Sequence, residues 1–577
     1  MRRVALAGLL LLTGCGLPMT DSARTGGLQD ERSRPAGIKV LPPGPQPGAS
    51  AEDIVRGFLK AQSSPDDNHG VARQFLAPGT RWNDDAFTIV YTPGSQTVRT
   101  DASAPDRVEL RLEPRARIEA DGAYRLLPSQ TTPAPAEGFV VAPVNGQLRL
   151  TRVPAGLRLQ TSNVVYSFTA RNVYFLGRGL QGEATGRLVA DRVFLPVTVD
   201  PARALVEALL RGASGPLADA VVGATPPGTV LRGLEVTDSG QVTVDLSAQV
   251  LALSSRDRQR LSAQLVWTLQ DFSGVRLLVE GRPLPVEATS AVQTVQDWEE
   301  FNPDGVADGA SLYYVQDRRL RSLDRPLTTG DAASGEVAVD EAAVDLPETQ
   351  VGVLTISAKG DDEVRVGPLR AGLGAPVFRR PQLGSLSWGS GDRGLFVLER
   401  GPRPLIWRLP APVPAGRPQA ASVAYRVPAG AGPLTRFEVS RDGARIAMIF
   451  GAGAGRTLFV GQLVPTSSGL VVADVVAVAP ELVDVTDVAW ESGTSLVVLA
   501  RDADEASLLT LQVAVDGSRS APVQRQGVEG VPQTLAAAPG RRLVVAATVA
   551  GRPPRLYRDD GSVFRSQADG SMPTYPG

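Results

Sequence analysis

The sequence predicts a multidomain protein: two small α+β domains followed by an all-β propeller of about six blades. Three observations lead there. First, 577 residues exceed what one hydrophobic core organises, and the chain should divide into about three or four domains. Second, capped helical runs alternate with strand-like runs between residues 50 and 297, whereas no long amphipathic helix follows residue 304. Third, the second half repeats a phrase of strand, small polar turn and apolar strand at spacings near those of four-stranded blades.

Composition narrows the classes. The hydrophobic fraction of 43% suffices for globular cores, and 60 Gly with 46 Pro mark many turns. A formal charge of −2 leaves no electrostatic footprint for nucleic acid or anionic lipid. Arg greatly outnumbers Lys (Lys39, Lys60 and Lys359 only), yet the Arg residues are scattered and offset by nearby acids, which reads as coding bias.

The N-terminus reads as an export signal. Arg2 and Arg3 precede the apolar run Val4 to Leu12, which is too short to span a bilayer stably. It ends in Leu12-Thr13-Gly14-Cys15, which matches a bacterial lipobox, with Leu12, Thr13 and Gly14 as the signal-peptidase recognition residues. Residues 1–14 are thus the expected signal peptide. Cys15, the sole cysteine, is the expected lipidation site, an N-palmitoyl and S-diacylglycerol cysteine. Each buried lipid methylene contributes about 0.8 kcal/mol, so two or three chains anchor durably. The expected location is the extracytoplasmic face of the cell membrane.

Residues 15–49 lack apolar periodicity and carry PPGPQPG, which predicts a tether. Extended, it reaches about 110 Å; as a coil it averages about 35 Å. Residues 50–165 should form the first α+β domain. Ser50 and Asp53 predict a capping box ahead of Ile54, Phe58 and Leu59. A second short helix is expected in VARQFLAPG, with Val71, Phe75 and Leu76 inward. Strand-like runs follow at 87–92, 107–119, 138–144 and 147–154, predicting an antiparallel meander curved over the helices. Folds of this shape often hold an apolar pocket. His69, the only histidine, falls in the turn DDNHG and reads as a solvated or capping residue.

Residues 170–297 should form the second domain. Strands are expected at 171–176 and 187–197. Asp200 and Pro201 then open a helix that buries Leu205, Val206, Leu209 and Leu210 and stops at Gly212. Strands TVLRGLEVT and QVTVDLS meet at Ser239-Gly240. Ser254 and Asp257 cap a second helix carrying Leu261, Leu265, Leu269 and Phe272, and the strand run 275–284 closes the unit. Asp245, the one acid in VTVDLS, reads as an exposed or capping carboxylate.

Residues 304–577 carry the repeated phrase. Lys359, Ser390, Asp442, Ser492 and Pro539 mark five turns spaced 31, 52, 50 and 47 residues apart, the short first spacing implying a short or degenerate blade. Six blades is the first choice, with five or seven as alternatives and a pair of β-sandwiches as the competing architecture. SLYYVQDRRLRSL (311–323) is expected to close the ring by pairing with the C-terminal strands around RLYRDDGSVFRS, leaving no open edge.

The blocks DPARALVEALLRG, PPGTVLRGLEV, GQVTVDLS and LSAQLVWTLQDF resemble a GerMN domain, a cell-envelope binding or assembly module to which no catalytic residues are attached. The whole order, with the phrases VARQFL (71–76), QLVWTL (264–269), GVADGA (305–310) and VSRDGARIA (439–447), resembles the LpqB family of actinobacterial lipoproteins. That resemblance implies a link to the MtrA–MtrB two-component system. The partner would be the extracytoplasmic domain of an MtrB-like sensor histidine kinase, with effects on envelope homeostasis, cell division and antibiotic tolerance. It carries no interface residue onto a position here.

The residues favour a non-enzymatic accessory protein over an envelope hydrolase. An acylated Cys15 is no nucleophile, and a triad or metal–imidazole site would rest on His69 alone. Paired carboxylates are available in composition, but no pair stands out. NPDGVADG (302–309) lacks the terminal Glu of a 12-residue calcium loop and reads as a linker turn. No cofactor or metal is expected. An envelope glycan or peptide ligand, bound in the N-terminal domain or the propeller channel, is the alternative role.

Overall fold

Ser50 accepts from the Asp53 amide and donates from its hydroxyl to the Asp53 carboxylate at 2.6 Å, so the capping box is formed and starts the helix Ala51–Ala61. In the computed structural model, which describes residues 42–128, 135–197, 200–287, 290–358, 360–410, 420–502, 507–523 and 525–577, this helix buries Ile54, Val55, Phe58 and Leu59. The next helix spans Asp66–Arg73, earlier than the VARQFLAPG run, because Asp67, Asn68 and His69 turn the chain through left-handed backbone (φ 49–57°). Phe75 still packs inward, just beyond the helix end; Val71 and Leu76 are half-buried.

The single run expected over 107–119 is two strands, Ala104–Arg111 and Pro114–Glu119, belonging to different sheets. Pro114 has no N–H to continue a ladder, so the chain changes sheet there. The first domain therefore has two four-stranded sheets where one curved meander was expected. Phe58, Val108, Leu110, Phe139 and Leu150 pack its interior.

The second domain is built on a long hairpin, Phe168–Arg178 with Ala184–Pro196. Asp200 caps Pro201–Arg211 through the Arg203 amide, and Ser254 caps Ser255–Thr268 through the Asp257 amide. Gln241–Leu246 alternates strictly: Val242, Val244 and Leu246 are fully buried against these helices. This strand pairs parallel to Gly274–Val279, which requires the crossover that the Ser255–Thr268 helix supplies.

Among the described residues, six blades then stand around a common axis, two of them joined in one eight-stranded sheet. Their inner strands are Glu341–Val344, Leu383–Gly389, Leu434–Val439, Leu482–Ser492, Val531–Ala536 and Ser571–Thr574, packed side by side in a ring. Five blades have four strands, and the outer strands of the second and third also pair, Ala424 with Val471. The ring closes in the sixth blade, where Tyr313–Gln316 pairs with Ser571–Thr574 on one side and Arg319–Ser322 on the other. Closure therefore uses SMPT; the expected partners around RLYRDDGSVFRS are the outer strands of the fifth blade.

The short first repeat spacing also has a structural cause. Ser390, Asp442 and Pro539 lie in turns between first and second strands of their blades, and Ser492 ends the first strand before the equivalent turn. Lys359 is outside the described residues, but its neighbours Ser357 and Asp362 flank the turn between second and third strands. The equivalent turn of the first blade is Asp345–Thr349, where Asp345 accepts from the Thr349 and Gln350 amides at 2.7 Å. The first blade is complete; the three-stranded blade is the closing one.

Candidate functional site

The repeated turns converge on one face of the propeller, and that face holds the second domain. Gly443 makes the third-blade turn with φ 73°, and a Cβ there would stand 2.7 Å from the Ser390 hydroxyl. This brings Arg445, at the start of the second strand, under the long hairpin. Its guanidinium donates to Ala190 O at 2.7 Å and Gly493 O at 3.2 Å, with Asp442 3.6 Å away. In the second blade, Arg393 donates to Arg178 O at 2.7 Å, and Asp392 accepts from the Leu180 amide at 3.4 Å. Burial pushes the Arg393 guanidinium down to about 10. Ala444 of the same face joins the hydrophobic core of the second domain.

The hairpin also grips the first domain. The Phe194 amide donates to Gly122 O at 2.8 Å, its ring lies 5.1 Å from Tyr124, and Phe194 and Ala170 belong to the first domain's core. Arg192 pairs with Asp516 of the fourth blade at 3.2 Å. One hairpin thus joins all three folded units.

The linker 302–309 is part of this interface. Asn302 Oδ1 accepts from the Asp304 amide at 2.9 Å, fixing a turn, and Asn302 O accepts from Arg187 at 2.9 Å. Asp304 then faces Arg441, Asp442 and Arg187 and accepts from the Gly493 amide; burial pushes its carboxyl up to about 6.

The central channel is charged. Arg436 pairs with Asp487, which also accepts from the Leu535 amide at 2.8 Å, and Glu341 accepts from the Ser385 and Leu386 amides at 3.2 and 2.9 Å. These bonds tie neighbouring blades, as do Trp388 to Ala343 O at 2.7 Å and Trp490 to Glu438 O at 3.1 Å. Arg441 crosses the mouth under the second domain, donating to Trp490 O, Pro576 O and Ala537 O at 2.8–3.0 Å. Glu438 lines the remaining cavity, and burial pushes its carboxyl up to about 7.

Of the residues singled out in the sequence, Leu12, Thr13, Gly14 and Cys15 lie outside the described residues. His69 stands edge-on to Trp82 with ring centroids 5.8 Å apart, and burial lowers its imidazole pKa. Asp245 accepts from the Gly281 amide at 3.1 Å, bracing the turn after Gly274–Val279. The structure does not bring His69 and Asp245 together: one is half-buried in the first domain's second helix, the other in the second domain's sheet. Among the described residues no cluster of three His, Cys, Asp or Glu could hold a metal, and no helix is long and apolar enough to cross a membrane.

The sequence reading missed Arg445, Arg441, Asp304 and Glu438. Arg393 and Arg445 carry a signal in hindsight, since each sits in or beside a repeated turn, as GDRG and RDGAR.

Three family models match in chain order: "Lipoprotein LpqB, N-terminal domain" over 44–165, "Sporulation and spore germination" over 172–285, and "Lipoprotein LpqB beta-propeller domain" over 313–565. A Lipoprotein LpqB from Thermobifida fusca (strain YX) is 30% identical over 98% of this chain and 97% of its own length. The chain belongs to the LpqB lipoprotein family. Another member, from Cutibacterium acnes, is 28% identical over 90% of this chain and 89% of its own. Among solved structures, the tandem GerMN domains of the sporulation protein GerM from Bacillus subtilis match at 21% identity and TM-score 0.19, covering 27% of this chain and 59% of that one. For this LpqB-family chain, the order of matched models places the spore-germination type domain between the two family-specific domains, where the hairpin sits.

Proposed function

We propose that this LpqB-family chain is a lipid-anchored accessory protein of the extracytoplasmic membrane face. In this reading, a signal peptide is removed and Cys15 carries the lipid. The folded body, on its tether, binds the extracytoplasmic domain of an MtrB-like sensor histidine kinase and modulates two-component signalling without chemistry of its own.

One observation carries the binding reading. The turn face of the propeller is occupied by the second domain, while the opposite strand ends expose apolar side chains on four blades. They are Ile356 (48% exposed), Leu405 (41%), Val427 (49%), Val483 (38%) and Val531 (55%). Contiguous exposed apolar surface marks contact sites, and large aliphatic groups at one end of the propeller support one there. A pull-down with the chain should enrich the kinase ectodomain; its absence from the captured material would remove this function. Cys15→Ala should release the protein from membranes, and full retention with continued processing would refute the anchor.

A second reading, an envelope glycan or peptide ligand, is favoured by a polar cleft between the second domain and the propeller. Asn172, Gln270, Asp271, Glu491 and Thr494 line it. Incubation with purified peptidoglycan should release no fragments; reproducible cleavage would establish an enzyme instead.

A further inference from the structure

The three domains leave a pocket where they meet. Tyr124 and Leu126 of the first domain, Leu217 of the second, and Val460 and Val515 of the propeller give it a mainly apolar wall. Domain junctions are frequent places for small-molecule sites.

Most of the charged groups around it are engaged, and Arg125 is the lining cation without an ion pair or side-chain hydrogen bond among the described residues. Asp191 accepts from the Ser214 amide at 2.6 Å and the Ser214 hydroxyl at 2.7 Å. Arg192 is paired with Asp516, and Arg445 is bound to Ala190 O. Arg125 apart, an ionic ligand would meet no waiting counter-charge in these groups. Gln462 differs. It is 4% exposed, and its Nε2 donates to Asp474 at 3.0 Å. An ionised carboxylate only accepts, so this bond fixes the amide orientation. The carbonyl Oε1 is left buried in the cavity wall with no donor. Buried acceptors in native proteins are nearly always paired.

We propose that this cavity binds a small amphiphile, apolar over most of its length, whose hydroxyl or amide N–H donates to Gln462 Oε1. The ligand touches all three domains at once, which distinguishes it from the partner surface on the far side of the propeller.

The test uses the full chain carrying Cys15→Ala, so that no detergent competes, titrated by calorimetry with octyl β-D-glucoside below its micellar concentration. One saturable site is expected. Ala477→Trp, which places an indole in the cavity, should weaken binding at least tenfold without lowering the melting temperature. Gln462→Met keeps the side-chain length and removes the acceptor; it should weaken octyl glucoside about fivefold and leave benzene, which has no donor, unchanged. If Ala477→Trp does not fold, Gln462→Met decides alone. Absence of saturable binding, binding unaltered in a folded Ala477→Trp, or equal loss of both probes in Gln462→Met would overturn the assignment.

Discussion

Replacing Arg445 by Met should loosen the second domain from the propeller. The substitution keeps the aliphatic stem but strands Ala190 O and Gly493 O, which now receive charged donors at 2.7 and 3.2 Å. It also removes the cation 3.6 Å from the fully buried Asp442 carboxylate. Hydrogen bonds from charged groups contribute about 1.5–3 kcal/mol each, and breaking a buried pair costs about 3–5 kcal/mol. The two routes overlap, so about 3–5 kcal/mol is expected, which is at least two decades in the docked-to-undocked ratio. Denaturant unfolding of the full chain, followed by hydrogen exchange in the hairpin and the third-blade turn, reads it out. The variant should show early exchange at the Ala190 and Gly493 contact and a lower first midpoint. A loss below about 0.5 kcal/mol, with unchanged exchange there, would refute the role of Arg445 as a clamp, since that is the ordinary scatter of surface substitutions.

Three further outcomes follow from the same geometry. Glu438 titrates near 7 when folded against an ordinary 4.5, so between these values the native state holds a proton that the unfolded chain has released. Its contribution is therefore present below about 4.5 and lost as pH rises through 7, a fall of about 2–3 kcal/mol that Glu438→Gln should remove from a stability-versus-pH curve. Asp304 should leave a smaller slope of the same sign. Ser50→Ala should cost about 1 kcal/mol in denaturant unfolding, since it deletes one half of a formed capping box. Tyr313→Ala removes a ring that is 1% exposed in the closing blade; a loss of about 3–5 kcal/mol is expected by thermal or chemical unfolding. Unchanged stability would mean the closing strands do not hold the ring.

Much of the architecture was legible because it rests on local chemistry. Ser50 with Asp53 and Ser254 with Asp257 are caps that span only four residues, and both form. Val242, Val244 and Leu246 declare their face by alternation alone. The repeated turns announced blades because each is a tight turn between two apolar strands. The missed features depend on residues far apart in sequence. Ser571–Thr574 is only four residues long and becomes a strand by pairing with Tyr313–Gln316. Lys359 shares the repeated phrase, but the equivalent turn of its blade, Asp345–Thr349, lies one strand earlier and carries no glycine to announce it. Arg393, Arg441 and Arg445 looked like scattered surface charge, yet they are 3–7% exposed and bound to carbonyls of distant segments. Apart from the repeated turns beside Arg393 and Arg445, nothing local distinguishes such an arginine from an exposed one.

The central claim is that the propeller face opposite the hairpin receives a sensor kinase ectodomain. Calorimetric titration of the chain with that purified ectodomain tests it most directly, alongside a Val427→Asp, Val531→Asp double variant. The account predicts saturable one-to-one binding that the double variant weakens at least tenfold while its melting temperature stays within a few degrees. No binding by the unaltered chain, or equal binding by the folded variant, would contradict it.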